Sequence, residues 1–107
     1  MKRKNNGRPY ERQVAQRLAN AGFMWVQLTK PSSDYGADII CYDGLGRMVV
    51  QCKYYHGKVG VSAVQEVAAA RQYYKAVRAA VATNSTFTKN AVKLARACGV
   101  ELWERFI

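Results

Sequence analysis

Ser32–Lys53 reads SSDYGADIICYDGLGRMVVQCK, and the fold turns on how this stretch divides. ADIICYD (37–43) and RMVVQCKY (47–54) are apolar, β-branched-rich runs of strand length on either side of Asp43-Gly44-Leu45-Gly46. That is the pattern of two antiparallel strands joined by a tight turn. Strand side chains alternate between faces with period two. Gln51 and Lys53 therefore share one face of their strand, and Val50 and Cys52 take the other. Asp38, Ile40 and Tyr42 share a face of the preceding strand. Counting back across the turn sets Asp38 opposite Gln51 to Lys53. A carboxylate, an amide and an ammonium then converge at the open end of one hairpin.

Outward from the hairpin, the pattern alternates helices and strands. Pro9 suits the first turn of a helix. Tyr10, Val14 and Leu18 follow at i, i+4 and i+8, and Gly22 ends the run. Met24–Thr29 reads as a strand, and residues 30–36 as a loop. Beyond the hairpin, Ser62 is expected to open a helix, with Gln65 completing a capping box. Ala79–Thr83 is an apolar strand of the kind found inside a sheet. Thr88 caps a third helix that Gly99 stops, and Val100–Trp103 is a last strand. The expected order is α-β-β-β-α-β-α-β. This is an α/β fold with a central mixed β-sheet flanked by helices. Residues 1–8 are expected to form a basic N-terminal arm, and 9–107 a single domain, with no internal repeat or low-complexity tract.

Composition narrows the partner. The 107 residues carry 17 Lys and Arg against 7 acids, a net charge of +10. That balance favours a polyanion. No apolar run is long enough to span a membrane, and the basic start MKRKNNGR has no hydrophobic segment behind it. A cytoplasmic protein of a prokaryote or virus is expected. Cys41, Cys52 and Cys98 read as small hydrophobes in a reducing compartment. With one histidine, His56, and no zinc spacing, a zinc site is excluded.

The remaining acids and amides suit a hard cation. Mg²⁺ takes oxygen ligands, commonly one or two carboxylates with waters and phosphate oxygens. Asp38 offers a charged oxygen, Gln51 its side-chain carbonyl and Cys52 its main-chain carbonyl. Glu11, beside the Tyr10–Val14–Leu18 stripe, is the second candidate carboxylate, although an acid there also suits the helix dipole. Lys53 can neutralise charge developing on a phosphate, or orient the attacking water. A surface ion pair is the plain alternative for Asp38 and Lys53. Against it, Asp38 and Gln51 each interrupt an apolar run, ADII and VVQC, where polar residues carry a cost. Phosphate or base contacts are expected from Arg3, Lys4 and Arg8 beside the site. Lys30, Lys58 and Arg71 extend the track, and Tyr54 or Tyr55 can stack.

Five stretches together carry a family resemblance: GRPYERQVAQRLANAGF, SSDYGADII, VVQCKYY, VGVSAVQEV and ATNSTFTKNAVKLARACGVEL, within residues 7–103. They resemble the Mrr-like branch of the PD-(D/E)XK nuclease superfamily, with its restriction-endonuclease-like αβββαβ core. In that branch Gln often replaces the Glu of the E-x-K element, as at Gln51. The resemblance implies Asp38 as principal metal ligand, Gln51 as second site residue, Lys53 as catalytic lysine and Glu11 as a further acid of the site. The first helix is also similar to that of archaeal-type Holliday junction resolvases. These are small dimers in which a loop serine before the Asp strand serves the site. Ser32 or Ser33 would be the equivalent, with Ser33 preferred.

The resulting expectation is an endonuclease using Mg²⁺, with Mn²⁺ able to substitute. It would act as a homodimer on four-way DNA junctions, leaving 5′-phosphate and 3′-hydroxyl ends. Two alternatives stand beside it: an Mrr-like restriction or repair nuclease directed to duplex DNA by a partner, and a catalytically inactive DNA-binding module.

Overall fold

The computed structural model describes residues 4–30 and 35–107, with side chains from Arg8 onward. The element order is α1 (Lys4–Asn20), β1 (Met24–Leu28), β2 (Ile39–Asp43), β3 (Gly46–Lys53), α2 (Val61–Tyr73), β4 (Arg78–Thr83), α3 (Lys89–Cys98) and β5 (Glu101–Trp103). The strands form one mixed sheet in the order β1-β2-β3-β4-β5. The β1–β2 and β2–β3 pairs are antiparallel, and the β3–β4 and β4–β5 pairs are parallel. The expected order of elements and the mixed sheet with helices on both faces are both present.

Strand alternation divides the core into two layers. Ile39, Cys41, Met48, Val50, Ala80 and Ala82 face α1 and pack on Tyr10, Val14 and Leu18. Ile40, Val49, Ala79 and Val81 face the other way, onto Val64 and Val67 of α2 and Ala91 and Ala95 of α3. The Tyr10 hydroxyl donates to the Phe106 carbonyl at 2.6 Å, fastening the C-terminal segment to α1.

Two helix starts differ from the sequence reading. α1 begins at Lys4, so Pro9 lies within the helix. There the proline ring forfeits the bond an N–H would make four residues back. α2 begins at Val61 with Gly60 as N-cap and no side-chain cap. The Ser62–Gln65 capping box is therefore not formed, because Ser62 already lies inside the first turn. α3 behaves as read: Thr88 Oγ1 accepts from the Ala91 N–H at 3.1 Å, and Gly99 closes the helix in the left-handed region at φ 70.

The hairpin turn is also as read. Asp43 pairs with Gly46, and the Asp43 carboxylate accepts the N–H groups of Leu45 at 2.7 Å and Gly46 at 3.1 Å. At the same end of the sheet Arg78 pairs with Asp43 and Glu101, joining β2, β4 and β5. The edge strand β1 is irregular. Its register to β2 shifts between Met24 and Gln27, and Trp25 has a positive φ of 49. The Trp25 side chain is 73% exposed and sits edge-on to Tyr42.

Candidate active site

The β2–β3 register builds the site. Ile39 pairs with Val50, which sets Asp38 across from Gln51, at the end of the sheet remote from the hairpin turn. The Asp38 N–H donates to the Val50 carbonyl at 2.8 Å, and its carbonyl accepts from the Thr29 N–H at 2.9 Å. Held from both sides, Asp38 turns its carboxylate toward β3. There Oδ2 accepts the Cys52 N–H at 2.8 Å. Gln51 is only 5% exposed, an unusual burial for an amide in a strand. Lys53 ends β3 on the same face as Gln51, its Nζ 6.0 Å from the Tyr55 ring centroid.

A third element completes this cluster, and it is the residue that sequence reasoning missed. Glu66, in the second turn of α2, extends its carboxylate over the same face. Its Oε1 accepts from Gln51 Nε2 at 2.6 Å and lies 3.3 Å from Lys53 Nζ. Gly36 fixes the approach of this helix. It has φ +89, and a Cβ there would come within 2.2 Å of the Glu66 carbonyl oxygen. Only glycine lets the loop before Asp38 pass so close to α2. A signal for Glu66 was present: it is one of only seven acids, and the sole acid in VSAVQEVAAARQY.

Glu11 arrives from the opposite layer, on α1. Arg8 holds it, donating through Nη1 to Glu11 Oε1 and through Nη2 to the Thr29 carbonyl at 2.9 Å. Arg8 is therefore occupied beside the site, where the sequence suggested a phosphate contact. The Cys52 thiol is pushed well above its ordinary pKa, chiefly by burial and then by the negative charges of Asp38 and Glu11. Arg8 ties Glu11 to Thr29, whose N–H in turn bonds the Asp38 carbonyl, so Glu11 lies near the same end of the sheet as Asp38. It is in the neighbourhood of the site but belongs to the α1 side of the sheet, whereas Gln51, Lys53 and Glu66 lie on the α2 side.

The segment after Lys53 is firmly held. Asn84 binds the main chain of Tyr55 twice, accepting its N–H at 2.8 Å and donating to its carbonyl at 2.9 Å. Ser85 Oγ donates to the Gly57 carbonyl at 2.7 Å, and Val59 and Phe87 form a parallel bridge. Thr83, fully buried, donates to the Lys53 carbonyl at 2.7 Å. The two loops that follow β3 and β4 thus form one platform beside the site.

Tyr54, Tyr55 and Lys58 are exposed on the segment that builds this platform, with the Tyr54 ring 5.4 Å from that of Tyr10. Lys30 is exposed as well. Arg71 is not brought to the site. It lies at the far end of α2 and donates to the carbonyls of Cys98 at 2.6 Å and Gly99 at 3.1 Å, fastening α2 to the end of α3. Ser33 and Arg3 lie outside the described residues, as does the side chain of Lys4.

The oxygen donors gathered here are of the kind a hard cation takes. Among the described residues no group of three or more His, Cys, Asp or Glu side chains could hold a metal ion. A closed cage of the kind zinc or calcium prefers is absent from them. The Asp38 carboxylate and the Gln51 amide oxygen are hard oxygen donors of the type that Mg²⁺ or Mn²⁺ accepts.

Relatives agree with this architecture. A structure of a protein of unknown function, AF1548, is similar with a TM-score of 0.76 at 18% identity, over 89% of this chain and 56% of that one. A repair endonuclease from Pyrococcus abyssi gives 0.61 at 25% identity, over 83% and 41%. The MspJI restriction endonuclease, in complex with a 27-mer oligonucleotide, gives 0.59 at 19% identity, over 90% and 24%. The chain thus spans from about a quarter to just over half the length of these neighbours. No curated protein matches it. The family model Mrr_cat, described as restriction endonuclease, matches residues 3–106. With that match over nearly its whole length, and a mixed five-stranded sheet carrying Asp38, Gln51 and Lys53 at one end, the chain belongs to the Mrr catalytic family of restriction endonucleases.

Proposed function

We propose that this chain is a metal-dependent endonuclease domain that hydrolyses phosphodiester bonds in DNA. The observation that carries the reading is the meeting of the Asp38 carboxylate, the Gln51 amide and the Lys53 ammonium at one end of the β2–β3 hairpin. Family membership and the net charge of +10 support it. Asp38 and Gln51 would hold Mg²⁺, for which Mn²⁺ would substitute, with Glu11 and the Cys52 carbonyl as further oxygens. When bound, the ion supplies positive charge to the phosphate and lowers the pKa of water beside it.

The chain's own groups do the rest. The Cys52 N–H keeps the Asp38 carboxylate turned toward β3. Lys53, its backbone anchored by Thr83, presents a point charge to the phosphoryl oxygens as they become more negative. Lys58 and Lys30 draw the phosphate backbone to the site, and Tyr54 and Tyr55 offer faces on which a base can stack. In-line attack by water, with the 3′ oxygen as the leaving group as the family resemblance implies, would leave 5′-phosphate and 3′-hydroxyl ends.

The choice of DNA is the finer part of the proposal. A directed restriction or repair activity follows the family and its neighbours. Junction resolution by a homodimer is the second reading; it rests on the likeness of the first helix, with Glu11 after a basic start, to that of archaeal-type Holliday junction resolvases.

One experiment separates these. A labelled four-way junction and a matched linear duplex are incubated with Mg²⁺, Mn²⁺ or EDTA, with Asp38→Asn alongside. Metal-dependent cutting that the variant loses supports the endonuclease. Paired cuts confined to the junction select the resolvase, and cutting of both DNAs selects the restriction-like or repair-like enzyme. Tight binding with no cutting of either overturns the enzymatic reading in favour of a binding module.

A further inference from the structure

We infer that Glu66 is a positioning residue of the active site, whose carboxylate fixes which end of the Gln51 amide faces the metal and holds the Lys53 ammonium beside it. This deepens the cleavage reading and rests on it. An ionised carboxylate only accepts hydrogen bonds. Gln51 must therefore turn its NH₂ to Glu66 Oε1, 2.6 Å away, and its carbonyl oxygen to the other side. At 5% exposure the amide has little water to bond with in any other rotamer. The oxygen a hard cation needs is selected by a neighbour on another element.

The same carboxylate oxygen lies 3.3 Å from Lys53 Nζ. One atom thus orders both polar side chains of the Q-x-K pair. It also restores to the cluster the negative charge that a glutamine at position 51 withholds. The placement of Glu66 is itself constrained, because its backbone is in close approach to Gly36, two residues before Asp38. Loop, strand and helix are aligned at one spot.

The Glu66 side chain is 47% exposed. A half-exposed ion pair adds little to folding stability. Its value lies in orientation, which distinguishes this role from a purely structural one.

The test compares wild type, Glu66→Gln and the reciprocal swap Gln51→Glu/Glu66→Gln. Mn²⁺ binding is measured by calorimetry, kcat and KM by cleavage of labelled DNA, and folding by thermal melting. A glutamine at 66 can meet Gln51 in either sense, so the amide is no longer obliged to turn its oxygen outward. Glu66→Gln is expected to lower Mn²⁺ affinity and kcat by about tenfold or more, as loss of a group orienting a ligand does. KM for DNA and melting temperature should stay unchanged. The swap returns a carboxylate–amide pair of reversed polarity and should recover most of both losses.

Wild-type Mn²⁺ affinity and kcat in Glu66→Gln would overturn the inference, as would a swap no better than the single variant. If wild type binds Mn²⁺ but cuts no DNA, the cleavage reading falls while the binding comparison still decides Glu66. If wild type binds no Mn²⁺, both fall.

Discussion

A buried amide where a carboxylate would bring charge makes Gln51 depend on its surroundings. The period-two pattern of VVQCK places it correctly, with Lys53 on its face and Asp38 opposite, because register across a tight turn can be counted along the chain. Glu66 could not be found by that count, since its meeting with Gln51 depends on how a separate helix crosses the sheet. Two residue-level outcomes follow. Gly36→Ala forces a positive φ on alanine and drives its Cβ into the Glu66 backbone. Strain and overpacking together should cost about 2–5 kcal/mol, read by chemical denaturation. The second concerns thiols. Burial pushes Cys41 up to about 11, and Cys52 is raised well above its ordinary value. Below their pKa both remain protonated and unreactive. At mildly alkaline pH a thiol reagent should spare both in the native protein and label both in denaturant. Rapid native labelling of Cys52 would contradict its packing beside Asp38.

Among the elements, the β2–β3 hairpin and α3 were legible because their signals are local. Asp43-Gly44-Leu45-Gly46 and the Thr88…Gly99 pair each satisfy backbone groups within a few residues. The start of α1 was not legible, because Asn5, Asn6, Gly7 and Pro9 all read as breakers, yet the helix runs through them. The start of α2 was misread for the opposite reason, a capping signal that the backbone does not use. The hairpin carries an acid-sensitive device. The Leu45 N–H and then Arg78 lower the Asp43 pKa below its ordinary 3.8. A folded pKa below the unfolded one stabilises the protein above the unfolded value, and that stabilisation is lost as pH falls through the folded value. Wild type should lose stability on acidification below about pH 4, and Asp43→Asn should lose less over the same window, in denaturation curves at each pH. At the other end of the sheet, Thr83→Val leaves the Lys53 carbonyl and the Ser85 N–H without the hydroxyl that serves both. A cost of about 1–3 kcal/mol is expected, together with lower kcat as the Lys53 backbone loosens.

For the molecule as a whole, charge is sorted by end. Asp43 and Glu101 are both consumed by Arg78 at the hairpin end, whereas Asp38 and Glu66 stand at the opposite end, with Glu11 on the α1 side. A chain of +10 that gathers Asp38 and Glu66 at one end of its sheet can attract a polyanion broadly and still hold oxygen donors where the backbone would arrive. If about six phosphates are neutralised, the logarithm of DNA affinity should fall against the logarithm of salt with a slope of about −5. Affinity independent of salt would rule out backbone-led binding. Lys30→Ala and Lys58→Ala should each flatten the slope by about one contact. The irregular outer strand has a separate bearing on how copies of this chain meet. A regular edge offers an unbroken rail on which a second sheet can dock. Here the rail is interrupted where Trp25 takes its positive φ, and a bulky indole juts beside the gap. Sheet-to-sheet joining through the β1 margin is therefore discouraged, which leaves β5 as the more open rail for a second copy.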